Sequence, residues 1–287
     1  VKYEDSSFEW EAGDGGPIGS LSDRATVAFS LDDAGVATVL LNRPEHRNTI
    51  NAQLLHDLSD VLRNCDRTAD VRVVVLSGAG PVFCTGSELS GDGSFGGPRV
   101  EGPPPAWLSP YQMRKPVIAA INGHAVGAGL TLAMQCDIRI VATDAKLGFP
   151  FTKLGVIGEW MGHWTAVRYL GIARAAELFF TGRLFSGMEA ESWGLANVAV
   201  PAADVMSTAL AMAQQIALNA PVSLAVTKRL LWEAVAADRG QSGSDEHRLL
   251  DVLLERPDAA EGVRAFLDKR PPSWLGSTAT DLPNWPA

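Results

Sequence analysis

Two short glycine-bearing segments hold the residue types with the clearest chemical use. One is Gly80-Pro81-Val82-Phe83-Cys84-Thr85-Gly86-Ser87-Glu88-Leu89, after the apolar run Val73-Val74-Val75-Leu76. The other is Asn122-Gly123-His124-Ala125-Val126-Gly127-Ala128-Gly129-Leu130-Thr131, after Val117-Ile118-Ala119-Ala120-Ile121. Each reads as a buried strand, a turn and a helix start. Small residues there leave backbone N–H groups uncovered, and a helix N-terminus adds partial positive charge. Two such donors aimed at one point hold an oxyanion, which implies a carbonyl substrate driven toward an enolate or a tetrahedral adduct. Glycine turns also follow strands for packing alone, and neither segment is a dinucleotide fingerprint or a phosphate loop. The order and spacing of several segments together favour the chemical reading.

Stepping along the chain gives the elements that must carry these turns. Thr26–Ser30 and Val36–Leu41, joined by Asp32-Asp33-Ala34-Gly35, predict a hairpin. Asn51–Arg67 has helical periodicity, Val71–Leu76 and Val117–Ile121 are buried strands, Gly127–Cys136 is a helix and Ile138–Ala142 a strand. Helices are predicted over 161–169, 172–180, 187–193, 203–218, 222–237, 244–255 and 259–269. The chain is thus sheet-rich early and helical late. Ser90 to Pro110 is rich in Gly and Pro, has little periodicity and reads as a loop placed just after the first turn; whether it folds over the site is not legible in the sequence.

Composition narrows the classes. Of 287 residues, 46% are hydrophobic, ample for a large core. The net charge of −9 and the lack of a basic stripe argue against nucleic acid as a partner. An acidic protein that binds an anionic ligand needs local Lys or Arg. Charged residues make up 20%, low enough to suggest that partners cover some surface. The longest uncharged stretch, Val117 to Cys136, is interrupted by Asn122, His124 and glycines, so no membrane span is expected. Cys65, Cys84 and Cys136 fit no metal spacing and read as reduced structural thiols of a cytoplasmic protein, with Cys84 the one placed for reactivity. The first residues carry Glu4, Asp5, Glu9, Glu11, Asp14 and Asp23 and no apolar signal core.

Taken together, several segments resemble the crotonase (enoyl-CoA hydratase/isomerase) superfamily. They are Leu41-Asn42-Arg43-Pro44 with Asn48 and Asn51, the two turns, Gln135-Cys136-Asp137-Ile138-Arg139, and Ala265-Phe266-Leu267-Asp268-Lys269-Arg270. The resemblance spans roughly residues 25–270. It implies an α/β fold, a crotonase-like ββα spiral core with a helical C-terminal trimerisation region, assembled as a homotrimer or a dimer of trimers. The chain then divides into an acidic, poorly ordered lead-in (1–24), a spiral core (25–200) and a helical region with tail (201–287). The implied partner is an acyl-CoA thioester. CoA enters as part of the substrate, and no metal or redox cofactor is implied.

By the same resemblance the oxyanion donors are the backbone N–H groups of Ser87 and Ala128. The second position is often Gly in the family, and Ala keeps the donor. CoA is implied to lie along the backbone around Ser87, Glu88 and Leu89. Phe266 and Lys269 of a neighbouring subunit are implied to reach its nucleotide end. Lys269 reads equally well as an ordinary solvated lysine near a helix C-terminus, and Glu88 as a brace for the turn.

Hydration of a conjugated thioester needs groups to activate water and to protonate carbon, and two carboxylates do this well. The two glutamate positions of the hydratases map onto Thr131 and Phe151, neither of which is a general base at neutral pH. One carboxylate remains in Gly155-Val156-Ile157-Gly158-Glu159-Trp160-Met161-Gly162. In several family isomerases a single Asp or Glu occupies this position and shuttles a proton, and in the dehalogenase branch it is a nucleophile. Apolar neighbours would desolvate Glu159 and raise its pKa, as a shuttle requires. The same glutamate also suits the first turn of a helix starting near Met161.

Other candidates are His163, at i+4 from Glu159 and able to support hydrolysis, then His124, Asp137 (expected to pair with backbone or Arg139), His46 and Arg47. Phe149, Phe151, Trp160 and Trp164 read as pocket walls for a bulky or apolar acyl group, or as core. The expectation is a double-bond isomerase with Glu159 as its single acid/base. An atypical hydratase, a CoA-thioester or C–C hydrolase, and a non-catalytic acyl-CoA binder are the alternatives.

Overall fold

Asp32 shapes the first turn: its Oδ1 accepts from the amides of Ala34 and Val36 at 2.9 and 2.8 Å. Gly35, at φ +80°, completes the reversal that joins β1 (Val27–Leu31) antiparallel to β2 (Val36–Leu41). The computed structural model describes residues 24, 26–91, 107–235, 237 and 239–285. The acidic lead-in up to Asp23 and residues 92–106 of the expected loop lie outside the described residues.

α1 (Ala52–Arg67) is capped by Asn51, whose Oδ1 accepts from the Leu54 amide, and it buries Leu54, Leu58, Val61, Leu62 and Cys65. The chain then makes three passes, each laying down one longer and one shorter strand. They are β3 (Val73–Gly78) with β4 (Val82–Cys84), β5 (Val117–Ile121) with β6 (His124–Val126), and β7 (Ile138–Ala142) with β8 (Lys146–Gly148). Every residue of β3 and β5 is buried, as continuous apolar runs in parallel strands should be. The second pass ends in α2 (Ala128–Met134) and the third leads to α3 (Gly162–Thr181). With β9 (Leu184–Ser186) and β10 (Val198–Val200), the strands form two sheets, ordered β1-β2-β3-β5-β7-β10 and β4-β6-β8-β9. This is the expected ββα spiral.

The second sheet is not legible in the sequence. Its strands have three residues each, too few for an alternating pattern to register. The helices predicted over 161–169 and 172–180 form one element, α3, interrupted where Gly171 adopts φ 70°, ψ 160°.

α4 (Gly187–Ser192) precedes β10, and α5 (Val205–Ala217) lies across the first sheet. Val205, Ala209, Ala213 and Ala217, at i+4 spacing, put a stripe of mostly small buried side chains on one face of α5. α6 (Pro221–Ala234) and α7 (Arg239–Leu254) share a small core of Val222, Val226 and Leu249, and α8 (Pro257–Asp268) packs on α7. Lys228 pins α6 to the sheet. Its buried Nζ donates to the carbonyls of Pro110 and Lys115 and lies 2.8 Å from Asp137 Oδ2. Asp137 accepts from the Val117 amide as expected. Its charge partner, however, is Lys228 rather than Arg139, whose guanidinium donates to the carbonyls of Leu195 and Cys136.

All three cysteines are free and buried. Burial pushes each thiol up to about 12, so none, Cys84 included, is a nucleophile at neutral pH. No single helix among the described residues is long and apolar enough to cross a membrane.

Candidate active site

The first glycine turn leaves β4 and pairs at once with the segment before α1. The Ile50 amide donates to Gly86 O at 2.8 Å, and the Glu88 amide to Ile50 O at 2.9 Å. Ser87 is thereby the bridge partner of Ile50 in a parallel pair. Residues alternate in direction along an extended strand, so the Ser87 amide faces away from Ile50. The predicted helix start is absent here because the backbone is engaged in this bridge; Ser87 is extended.

The second turn does open a helix. Gly127 takes φ 55°, ψ −126°, a conformation that suits only glycine, and Ala128 begins α2. The Gly127 carbonyl accepts from the amides of Leu130 and Thr131. A Cβ built on Gly86 would lie 3.0 Å from Val126 O and 3.8 Å from Ala128 N, so the two turns are in contact. A Cβ on Gly129 would lie 2.2 Å from Cys84 O, so α2 rests on the backbone of β4. Among the described residues, neither the Ser87 nor the Ala128 amide donates a hydrogen bond. Free amides beside one another on adjoining turns are what binding a carbonyl oxygen requires.

The first turn is held by polar side chains from the Asn42–Ile50 stretch. Asn48 Nδ2 donates to the carbonyls of Ala79 and Val82, and its Oδ1 accepts from the Arg43 amide. Arg43 Nη1 donates to Thr49 O at 2.6 Å and lies 2.8 Å from Glu88 Oε2. Glu88 thus forms an ion pair beside Ser87, and Leu89 is largely exposed.

Glu159 stands on a second unusual backbone feature. Its carbonyl accepts from the Gly162 amide at 3.0 Å, closing a turn whose central residues, Trp160 and Met161, have φ of 52° and 58°. Positive φ at both central positions is the type I′ pattern, and for non-glycine residues it is strained. The residue is exposed overall, yet partial burial of its carboxyl raises its pKa above the ordinary glutamate range. Trp160 is nearly buried and stacks on Trp107, centroids 5.1 Å apart and planes 5° from parallel.

Phe151 links this turn to the second glycine turn. Its ring lies 3.7 Å from a Cβ position on Gly127 and 3.0 Å from one on Gly158. Thr131 is fully buried: its hydroxyl donates to Ala128 O and its methyl lies under Gly162. His163 is exposed, with its ring 4.7 Å from that of Phe179. Phe149 stacks on Phe179, and Trp164 on Trp232. His124 Nδ1 accepts from the Lys146 amide, a structural bond. Phe266 and Lys269 are at the exposed end of α8, remote in sequence from both turns, with Lys269 as its left-handed C-cap.

Sequence reasoning missed Gln135 as more than a motif member, and it missed Trp107. Gln135 is fully buried and its Nε2 donates to Trp160 O at 2.8 Å. Its place at the far end of α2 from Ala128 was the available signal. Two apolar cavities, of about 630 and 380 Å³, lie against α6–α8 and between α3 and α6; neither is lined by Ser87, Ala128 or Glu159. The candidate site therefore rests on backbone geometry and not on cavity size. No cluster of three His, Cys, Asp or Glu suited to a metal is found among the described residues.

A family model described as enoyl-CoA hydratase/isomerase matches residues 32–277. A probable enoyl-CoA hydratase of Bacillus subtilis (strain 168) is 35% identical over 260 residues, covering 85% of this chain and 96% of the relative. An (E)-benzylidenesuccinyl-CoA hydratase of Thauera aromatica is 34% identical over 258 residues, covering 84% and 96%. Among solved structures, a probable enoyl-CoA hydratase/isomerase from Mycobacterium abscessus superposes with a TM-score of 0.80 at 40% identity, covering 88% of this chain and 98% of that one.

Proposed function

Because the chain belongs to the enoyl-CoA hydratase/isomerase family, whose enzymes process acyl-CoA thioesters, we propose that it moves a carbon–carbon double bond in an enoyl-CoA. The Ser87 and Ala128 amides hold the thioester oxygen. Glu159, ionised, takes a proton from the γ-carbon. The C–H pair becomes the β,γ double bond, the α,β pair shifts to Cα–C1, and negative charge settles on the oxygen between the two amides. As the carbonyl re-forms, Glu159 returns the proton to the α-carbon. The reverse sequence is equally available. Only a proton and electron pairs move, so no redox step enters.

The observation that carries this reading is the contact between two turns in which the Ser87 and Ala128 amides have no acceptor among the described residues, near a turn with one carboxylate of raised pKa. Removing one such donor costs on the order of a hundred- to a thousandfold in rate. The exposed backbone around Glu88 and Leu89 suits CoA. Phe266 and Lys269 suit its nucleotide end when supplied by a neighbouring copy in a homotrimer or a dimer of trimers, and a cytoplasmic setting matches the reduced thiols.

A second reading is hydration, favoured by the hydratase names of the relatives. Against it stand Thr131, with its hydroxyl committed to Ala128 O, and Phe151, which has no proton to exchange. A panel of enoyl-CoA thioesters incubated in heavy water and read by mass spectrometry tests both. Deuterium in the acyl chain without net mass gain of a water supports isomerisation, and gain of one water supports hydration. Binding with no deuterium uptake leaves only a non-catalytic acyl-CoA binder. Glu159→Gln should abolish uptake while thioester binding persists; unchanged turnover would overturn the single-base mechanism.

A further inference from the structure

Helix α2 touches both halves of the candidate site. Its first residue is Ala128. One turn later, the methyl of Thr131 lies 2.6 Å from a Cβ position on Gly162, so Gly162 can only be glycine without displacing it. At its C-cap, Gln135 donates through Nε2 to Trp160 O at 2.8 Å. Thr131 and Gln135, four apart, share one face of the helix. That face supports the 159–162 turn at two points, and a seven-residue helix spans about 10 Å.

The turn needs such support. Trp160 and Met161 both sit at positive φ without being glycine, a state that persists only where its surroundings over-determine it. Trp107 covers the ring of Trp160, and the Gly162 amide closes the turn. The hydrogen bond to the carbonyl between the two strained residues comes from Gln135. That amide is fully buried, and its Oε1 has no hydrogen-bond partner. An aliphatic side chain would avoid the buried orphan oxygen. What it could not supply is the donor to Trp160 O.

Building on the function proposed above, we infer that Gln135 is a positioning residue for Glu159. By clamping Trp160 O it holds the strained turn in register with Ala128, so that the separation of the carboxylate from the oxyanion donor is fixed through one short helix. Gln135 does not touch the acyl group. It acts through the backbone of Trp160, and a misplacement of about 1 Å at a reacting group can cost on the order of a hundredfold in rate.

The test is Gln135→Met in the full chain, beside Glu159→Gln, with the heavy-water exchange assay and steady-state kinetics on the thioester that exchanges fastest. Gln135→Met should lower kcat by about tenfold or more with KM within about twofold. The acid limb of the kcat profile should move to lower pH as the relaxed turn exposes the Glu159 carboxyl to water; the His163 ring lies against this segment, 3.4 Å from a Cβ position on Gly158. Adding Met161→Gly, which removes one strained residue, should recover part of kcat. If Gln135→Met is poorly folded, Gln135→Leu likewise lacks any donor to Trp160 O, with the same expected loss at neutral pH. Unchanged kcat and an unmoved acid limb, with Glu159→Gln inactive, overturn the clamp alone. An active Glu159→Gln overturns the single-base mechanism and the clamp with it.

Discussion

Gly129 rests directly on the backbone of Cys84, so close that a methyl group there would begin 2.2 Å from the Cys84 carbonyl oxygen. This contact sets the distance between α2, which presents the Ala128 amide, and β4, which leads to Ser87. The neighbour is backbone and cannot rotate aside. Gly129→Ala should therefore lift α2 from β4. Overpacking of this kind costs about 1–3 kcal/mol, and the displaced donor adds a loss of kcat on the order of a hundredfold. Denaturant melts and exchange kinetics on one preparation check both. A variant with the stability and rate of the parent would show that the contact does not set the site.

The parts of this fold that could be read from the sequence are those with long patterns. Val73–Leu76 of β3 and all of β5 are apolar, α1 repeats at helical spacing after an Asn cap, and the late helices are periodic. The second sheet is not readable because its strands have three residues and pair only through chain passes far apart in sequence. The first turn looked like a helix start because small residues and glycine suit one. Only the bridge from Ile50, a long-range contact, makes Ser87 extended. Lys228 as the partner of Asp137, and Gln135 beneath Trp160, are likewise joined across 91 and 25 residues, and no local pattern announces them.

The ion pair between Arg43 and Glu88 predicts a graded effect. Arg43 is buried and also holds Thr49 O, whereas Glu88 is partly open to solvent. The pair itself contributes about 1 kcal/mol or less to stability. Glu88→Gln should accordingly leave the melting temperature nearly unchanged and lower kcat by about fivefold through a looser Ser87 segment. Arg43→Met removes the clamp on Thr49 as well and should cost more in both. Equal effects of the two variants on rate and stability would argue against a bracing role.

Glu159 predicts opposite pH trends for stability and rate. Partial burial holds its carboxyl above the ordinary glutamate value of about 4.3. Between that value and its own raised pKa, the folded chain keeps a proton that the unfolded chain has released. This group's contribution to stability therefore falls as pH rises through that window. Glu159→Gln should raise the melting temperature slightly at neutral pH and leave it unchanged below about pH 4. Turnover needs the ionised form, so the acid limb of kcat should lie above the ordinary glutamate range. A limb at about 4 would mean that the carboxylate in solution is not desolvated.

The thiols give a prediction independent of the proposed chemistry. Cys65, Cys84 and Cys136 are buried, each pushed up to about 12 from an ordinary value near about 8.5. The folded chain should resist an exposed-thiol reagent at pH 8, and all three should react once denaturant unfolds it. Above about pH 8.5 the unfolded chain loses thiol protons that the folded chain keeps. Their joint contribution to stability therefore falls as pH rises toward 12. Replacing Cys136 with Ala should remove its share of that alkaline loss, measured as the change in denaturation midpoint between pH 8 and pH 10. Rapid labelling of Cys84 in the native protein would contradict its buried place at the end of β4 against Gly129 and reopen it as a nucleophile beside Ser87.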